Sequence, residues 1–478
     1  MNILSDRKVF FIKRNADWRA AAPRLLRVSK TRATQRERYL FLLQPVWLQI
    51  AHISDESFLR GRRISRVFTY FVYIMIVSYR DDFPIFSHNP GLVYLDSGAT
   101  TQKPQVVIDA VSHYLSHDYS NIHRWSYDLA QRSEDFYDEA KEAFARLISA
   151  NVHDCFFSFS TTILANMIVH SLSRSWFFCA GDEVICMDWD HHATIVPLQM
   201  WAKDCGFILR FCPIDADGLI DYEALAQMIS PRTKLVVYSH VTNVLGTIAD
   251  GERIRWLCHE DCMIMVDASQ SLAHMQVRTD FCDILISTAH KIYANTWLGM
   301  AWMRASLRDR LYPWFWWWGI VKDVNHDLTV MLPWVQAREP GTPNLVWAVS
   351  LLASLKYIDS IGGIASLVNH EKQLIAYFLE AYEKFCSVYP DILHLYAHTQ
   401  PDRQIGVFSF GIRHGRWPKT VGDMLGMHNV CVRAWWHCAH ILVHALGEQY
   451  GTLRVSFGVY TTVDDIDRFF TVLWSFDW

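Results

Sequence analysis

The chain has 478 residues, of which 51% are hydrophobic and 20% are charged, a composition typical of a globular protein with a large core. The formal net charge is −4, but residues 1–74 carry 15 Lys and Arg against 5 Asp and Glu, so the rest of the chain is acidic and nucleic acid is not an expected partner. The longest apolar run, at residues 67–77, is too short to span a bilayer and no secretory signal is evident, so we expect no membrane association.

Residues 1–74 are rich in arginine, poor in acidic residues and without clear periodicity. We expect a basic N-terminal extension that is a targeting segment, a disordered tail, or upstream sequence that does not belong to the native protein. Met75 is an alternative start.

From about residue 92, short apolar runs that end in polar residues alternate with helical spacing. The runs are DEVICMDWDHH, TKLVVYSHVTN, CMIMVDASQS and CDILISTAHK. This alternation predicts an α/β large domain over residues 75–345, with a parallel or mixed sheet between helices. After a long helical stretch, the strands VFSFGI, VCVRAW and LRVSFGVY and a closing helix predict a smaller C-terminal α+β domain over residues 346–478.

The cysteines favour a reducing compartment. There are 11 of them, and none forms a CxxC pair. Cys258 and Cys262 have helical spacing and no second pair, so we predict two ordinary buried thiols and expect no metal site. A scattered, odd-numbered set without a disulfide framework is typical of the cytoplasm.

Polar side chains follow the predicted strands of the large domain. In an open α/β sheet the ligand lies at the carboxyl ends of the strands, so these residues are expected to converge on one edge. They are His191, Asn243, Asp267, Gln270, His290 and Lys291.

Taken singly, each of these residues has two interpretations. Lys291 is either a solvated charge at a strand end or a lysine that binds pyridoxal phosphate as a Schiff base. Asp267 is either a turn or cap residue or the anion that keeps the pyridine nitrogen protonated. The segment STTILAN at 160–166 is either a simple helix cap or a phosphate site at a helix start. His191 is either a surface residue or a ring that stacks on the cofactor.

Taken together and in order, the motifs are similar to those of a known family. The chain resembles the SufS-type (group II) cysteine desulfurases of the class V aminotransferase superfamily in the segments YLDSGATTQKP, NIHRW, STTILAN, DHHATIVPLQ, SHVTNVLGT, VDASQS, STAHK, REPGTPN, VRAWWHCA and LRVSFGVYTT. The resemblance implies the fold of type I pyridoxal phosphate transferases, with a mostly parallel seven-stranded sheet. It covers residues from about 79 to the end.

The resemblance also implies a role for each matching residue. Those expected to bind pyridoxal phosphate are Lys291, Thr161, Thr162, His191, Asn243, Asp267, Gln270, Thr288 and His290, with Thr342 reaching the cofactor of the other subunit of a homodimer with shared active sites. Those expected at the L-cysteine substrate are Arg454 as a carboxylate clamp, Arg433, Asn243, His123 and Arg124. Lys291, His191 and Cys438 are the expected catalytic residues.

The implied reaction converts L-cysteine to L-alanine and leaves a persulfide on Cys438, which then supplies sulfur to an acceptor protein or scaffold for iron–sulfur cluster assembly. Selenocysteine lyase, or another lyase or aminotransferase of class V, is an alternative on the same fold. A third alternative is a non-catalytic homologue.

Tryptophan stands at several positions where the family has glycine. The chain has 20 Trp and 21 Gly. The positions lie in HRW at 123–125, NTW at 295–297, PWFWWWG at 313–319 and AWWHCA at 434–439, where Trp435 replaces a glycine and Trp436 a histidine. One hypothesis is that UGA codons, read as glycine in the cell, are translated here as tryptophan. Sequence drift or an inactivated paralogue is the alternative, and real tryptophans that block the pocket would favour the non-catalytic homologue.

Overall fold

The computed structural model describes residues 78–123, 126–215, 218–308, 310–312, 321–331, 339, 341–396, 401–413 and 415–478. They belong to a compact unit that runs from Tyr73 to Trp478. The predicted extension at residues 1–74, the site residue Arg124 and the tryptophan-rich segment 313–319 lie outside the described residues.

The strands, in chain order, are Val93–Tyr94 (β1), Cys155–Ser158 (β2), Glu183–Met187 (β3), Ile208–Cys212 (β4), Thr233–Ser239 (β5), Met263–Asp267 (β6), Ile284–Thr288 (β7), Gly299–Met303 (β8), Val321–Val324 (β9), Thr329–Met331 (β10), Leu393–Tyr396 (β11), Val407–Ile412 (β12), Val430–Cys431 (β13), Arg433–Trp435 (β14) and Thr452–Ser456 (β15).

The α-helices are Pro84–His88 (α1), Gln105–His117 (α2), Asp128–Leu147 (α3), Thr161–Arg174 (α4), His192–Cys205 (α5), Tyr222–Met228 (α6), Gly251–Leu257 (α7), Ala305–Arg308 (α8), Leu345–Ser360 (α9), Gly363–Cys386 (α10), Pro418–Met427 (α11), His440–Ala445 (α12) and Val463–Trp474 (α13).

A seven-stranded sheet with the order β2-β8-β7-β6-β5-β3-β4 forms the centre of the described unit. The pairs among β3 to β7 are parallel, whereas β8 is antiparallel to both β2 and β7. The predicted mostly parallel, seven-stranded sheet is therefore confirmed. Its topology brings the carboxyl ends of β2, β3, β5, β6 and β7 to one edge.

Both faces of this sheet are covered, as an apolar run without alternation predicts. In β5, Leu235 and Val237 pack into one apolar cluster with α4, while Val236 and Tyr238 pack into another on the opposite face. Successive strand residues point to opposite faces, so a strand with both sets buried needs helices on both sides.

A second sheet has the order β11-β12-β15-β14 and is antiparallel throughout. Its apolar face packs with α10 and α13 in a separate core that includes Phe378, Phe408 and Phe469. β1 runs parallel to β13 beside this sheet, and β9 and β10 form a hairpin of their own.

Helix α9 packs with the large sheet's helices rather than with the second sheet. Its buried residues belong to the same core as those of α2 and α3. Helix α9 therefore shares the core of the large sheet, and the division into domains stays a prediction.

Within the described residues, no single helix has the length and apolar character needed to cross a bilayer. Helices α9 and α10 meet that criterion only as a pair, across a bend of 70°.

Candidate active site

A cavity of about 340 Å³ lies at the carboxyl edge of the seven-stranded sheet. It brings together most of the residues that the sequence singles out. They are Thr161, Thr162, His191, Asn243, Asp267, Gln270, Thr288, His290, Lys291, Arg433, Cys438 and Arg454. These side chains are contributed by the ends of β2, β3, β5, β6 and β7, by a loop after β5, and by β14, β15 and the loop after β14.

Lys291 and Asp267 both line this site and interact electrostatically. Asp267 ends β6, and Lys291 ends a 3₁₀ turn that follows β7 directly. Burial lowers the pKa of Lys291 to about 8, and Asp267 opposes this shift. Burial raises the pKa of Asp267. A hydrogen bond of 2.9 Å that Ser269 N donates to Asp267 Oδ1 and the Lys291 cation both lower this pKa and so offset part of the shift.

The start of α4 lines part of the cavity. Ser160 caps the helix, because its Oγ accepts a hydrogen bond of 3.2 Å from Ile163 N. Gly299 lets β8 approach this turn, since a Cβ there would lie 2.5 Å from the carbonyl carbon of Ser160. The backbone N–H groups of a helix start, next to the hydroxyls of Thr161 and Thr162, suit a phosphate.

His290 also lines the cavity and has a buried polar ring atom, Nδ1, without a hydrogen-bond partner among the described residues. Burial and the Lys291 cation lower the pKa of His290 to about 3, so the ring is neutral at physiological pH.

His191 stands at the N-terminus of α5, where its Nδ1 accepts a hydrogen bond of 3.1 Å from Ala193 N. Burial, followed by the Lys291 cation, lowers the pKa of His191 to about 3. A neutral imidazole held in this way presents a flat face to the cavity.

Gln270 and Asn243 have amide donors already in use. Gln270 Nε2 donates to Gly98 O at 2.9 Å, and Asn243 Nδ2 donates to His437 O at 2.8 Å. Thr288 is buried, and its Oγ1 lies 3.4 Å from Leu298 O.

Arg454 is fixed by two partners on one side. It is only 1% exposed; Nη1 donates to Asn243 O at 2.9 Å and Nη2 to Asp96 Oδ1 at 2.8 Å. Within the described chain its Nε has no partner. Arg433 stands opposite Arg454 across the β14–β15 pairing and also lines the cavity, so two cations share this wall.

Cys438 lies half-buried in the loop between β14 and α12. His437 and Cys438 have φ angles of 53° and 55°. The loop is tied to the rest of the site through Asn243 and through His437 Nε2, which lies 2.9 Å from Thr452 Oγ1.

The tryptophans differ from one another in their backbone conformation. Trp297 has a φ of 68°, lines the cavity, and stacks on Trp347 with ring centroids 6.4 Å apart. Trp435, in contrast, lies in β14, an extended conformation that any residue adopts. Trp297 thus has the left-handed backbone that glycine adopts most readily, whereas Trp435 does not. Trp176, which the sequence did not single out, has a φ of 56° and is 87% exposed.

Two predicted residues lie apart from the cavity. Thr342 is exposed and lines a separate cleft with Glu339. His123 Nδ1 lies 2.9 Å from Glu134 Oε1 and does not line the cavity. Their roles, like those of the cavity residues, stay predictions.

Three further residues at the site, Asp96, Ser269 and His192, were not predicted from the sequence. Asp96 lies two residues after the first strand, in YLDSG, a position that signals a strand-end site in a similar way to Asp267. Ser269 lies in the DASQS segment, and His192 is the second histidine of DHH, where a helix begins.

The chain matches the family model described as Aminotransferase class-V over residues 93–469, so it belongs to this family. It is 33% identical over 405 residues to a probable cysteine desulfurase 1 of Mycobacterium leprae, a match that covers 83% of this chain and 64% of that protein. It is 32% identical over 388 residues to a probable cysteine desulfurase of Vibrio cholerae, a match that covers 80% of this chain and 93% of that protein. The chain thus spans less than two thirds of the first relative and most of the second.

Solved structures agree with the fold. The apo cysteine desulfurase of Thermococcus onnurineus superposes with a TM-score of 0.76 at 28% identity, covering 82% of this chain and 96% of that one. The cysteine desulfurase CsdA of Escherichia coli, in its S-sulfonic acid form, superposes with a TM-score of 0.73 at 26% identity. This match covers 83% of this chain and 96% of CsdA. The predicted class V fold is confirmed.

Proposed function

We propose that the protein is a pyridoxal phosphate-dependent cysteine desulfurase of the SufS type, which converts L-cysteine to L-alanine and carries the sulfur on Cys438. The observation that carries this proposal is the presence of Lys291, Asp267, Arg454 and Cys438 in one cavity. The family membership and the names of the relatives support it.

The side chains present fit this cofactor. A cavity of about 340 Å³ remains beside Trp297, within the range of small-ligand sites, which argues against a pocket blocked by tryptophan. Asp267 supplies an anion for the pyridine nitrogen, His191 a neutral ring for stacking, and the α4 start with His290 Nδ1 a cradle for phosphate. When bound, pyridoxal phosphate supplies an electron sink for the carbon framework of the amino acid.

Lys291 is suited to hold the cofactor and to move protons. Its lowered pKa, about 8, leaves a useful fraction of neutral amine near physiological pH. Asp267 and the phosphate cradle orient the ring relative to Lys291 Nζ.

Arg454 is suited to bind the substrate carboxylate. Asp96 and Asn243 O fix its guanidinium, and its buried Nε has no hydrogen-bond partner among the described residues. A rigid, charged fork binds a carboxylate more specifically than a lysine does. Arg433 adds a second positive charge on the same wall.

Cys438 is the proposed sulfur acceptor. Its thiolate attacks the sulfur of L-cysteine; an S–S bond forms, the carbon–sulfur bond breaks, and its electron pair stays with the carbon, which then takes a proton. The sum is L-cysteine and an enzyme thiol giving L-alanine and an enzyme persulfide, and no further reactant is needed.

The experiment is a product assay on the cofactor-loaded protein with L-cysteine and a thiol reductant. We expect alanine and sulfide in equal amounts. Cysteine consumption that yields pyruvate and ammonia in place of alanine would contradict the proposal. L-selenocysteine in a parallel assay measures the alternative substrate.

We further propose a homodimer with shared active sites. Thr342 is exposed outside its own cavity, and the hairpin of β9 and β10 presents the apolar side chains Val324, Leu328 and Val330. The test mixes a Lys291→Ala protein with a Thr342→Ala protein. If sites are shared, mixed dimers contain one site with both changes and one intact site, so activity is regained; unchanged low activity on mixing contradicts sharing.

The remaining parts of the proposal concern the protein's surroundings. We propose that the persulfide passes to an acceptor protein or scaffold for iron–sulfur cluster assembly in the cytoplasm. The free, scattered cysteines support a reducing compartment. Labelled sulfur that moves from this protein to clusters in cell extract, and stops when Cys438 is replaced, would test it.

A further inference from the structure

The loop that carries Cys438 has a backbone conformation that needs support. His437 and Cys438 are consecutive and both left-handed, with φ angles of 53° and 55°, and neither is glycine. L-residues with a Cβ avoid this region, so contacts from elsewhere must hold the loop.

One residue contacts the loop at two points around the thiol. His192 N donates a hydrogen bond of 2.9 Å to Cys438 O. The His192 side chain then accepts on Nε2 a hydrogen bond of 3.2 Å from His440 N, and His440 Nδ1 lies 3.2 Å from the same atom. His192 is the first residue of α5, where backbone N–H groups have no partner within the helix.

We propose that His192 is a positioning residue that clamps the Cys438 loop, through its Nε2 as an acceptor, in the conformation that directs the thiol into the cavity. This inference rests on the proposed role of Cys438. It requires Nε2 to be unprotonated, with the ring proton on Nδ1. Burial and the neighbouring His440 lower the pKa of His192, which favours the neutral ring.

The His192 ring also stacks on His440, with centroids 4.8 Å apart and planes at 22°. Stacking is therefore the competing explanation of how His192 holds the loop. Two variants separate the two effects. His192→Phe keeps an aromatic ring and removes the acceptor, whereas His192→Gln removes the ring and keeps an acceptor at nearly the same distance. The backbone bond from residue 192 is present in both.

The experiment measures alkylation of Cys438 by iodoacetamide in the cofactor-loaded protein, between pH 6 and pH 9, with quantification by peptide mass spectrometry. The exposed thiol of Cys179 serves as the internal reference in each sample. His444→Phe is the matched control, since His444 lies beside the same aromatic cluster and is exposed.

We expect His192→Phe to raise the alkylation rate about fivefold at every pH, the change that loss of one neutral hydrogen bond gives. His192→Gln and His444→Phe should alkylate at the rate of the unchanged protein. Formation of the Cys438 persulfide should slow by a similar factor in His192→Phe, while KM for L-cysteine and the cofactor absorbance stay unchanged.

Three results would overturn the proposal. Fast alkylation of His192→Gln with normal alkylation of His192→Phe would assign the effect to ring stacking. Equal rates in all variants would show that the loop keeps its conformation without the clamp. If the rate of Cys438 alkylation in His192→Phe reached the same plateau as in the unchanged protein but at a different pH, His192 would act on the ionisation of the thiol. Because alkylation does not require turnover, these results are distinct from a failure of the proposed function.

Discussion

The two halves of the site are held in different ways. Asp267 ends a strand whose two faces are buried, and Lys291 ends the short 3₁₀ turn that follows the neighbouring buried strand, so the sheet fixes where both residues lie. Cys438 lies in a short loop whose backbone is left-handed at two residues, and its position depends on hydrogen bonds from segments far away in sequence.

This difference separates the chemistry into a rigid and an adaptable part. The cofactor end is pre-organised, because charged groups there cannot relax without disturbing the core. The Cys438 loop is half-buried and supported by a few bonds, so small changes alter its conformation while the fold stays intact. The proposed sulfur carrier must meet both the cavity and an acceptor, which this second arrangement allows.

The largest effect is expected at the rigid end. Lys291→Ala should abolish covalent binding of pyridoxal phosphate and lower alanine formation by about 10⁴-fold or more, because both the attachment point and the proton carrier are lost. Absorbance after gel filtration measures the first and an alanine assay the second. Lys203→Ala, on the exposed side of α5, is the control and should match the unchanged protein.

The pH dependence of cofactor capture sharpens the same comparison. Only the neutral amine attacks the aldehyde, and burial lowers the pKa of Lys291 from 10.5 to about 8. Capture by cofactor-free protein should therefore rise with pH, level off above pH 8, and be about 100-fold slower two pH units below that value. Stopped-flow absorbance measures it. The reaction of Nα-acetyl-lysine, whose ε-amine is free, should continue to accelerate through pH 10 in the same buffers. A capture rate of the protein that follows the same pH dependence would refute the lowered pKa of Lys291.

A smaller effect is expected where the two halves meet. Arg454→Lys should raise KM for L-cysteine about tenfold, since the charge remains and one charge-assisted hydrogen bond is lost. Bound cofactor should be unchanged. Steady-state kinetics with a cofactor spectrum checks both, and loss of the cofactor band would assign Arg454 to cofactor binding instead.

The smallest effect concerns tryptophan. Trp297→Gly should raise the free energy of unfolding by up to about 1 kcal/mol, because glycine adopts a φ of 68° without strain. Trp435→Gly, in the strand β14, should lower it by about 1 kcal/mol. Urea denaturation measures both. Equal losses for the two variants would contradict a glycine position at 297, and peptide sequencing of the protein from its native cells reads the residue directly.

Much of the rigid half was predictable from the sequence. Apolar runs that end in Asp267 or Lys291 indicate strand ends, and parallel strands bring those ends together whatever their order in the sheet. The left-handed backbone at His437 and Cys438, the His192 contact and the Asp96–Arg454 pair were not predictable, because they join segments that are distant in sequence. Thr342 and His123 lie away from the cavity, and the role expected for Thr342 depends on a second subunit.

The most direct test of the account locates the sulfur after one turnover. Cofactor-loaded protein is mixed with one equivalent of L-cysteine without reductant, the free thiols are blocked, and peptides are analysed by mass spectrometry. We expect one extra sulfur on the peptide that contains Cys438, together with one equivalent of alanine, and no extra sulfur in a Cys438→Ser protein that still holds the cofactor. Extra sulfur on another cysteine, or alanine formed at the full rate by Cys438→Ser, would contradict it.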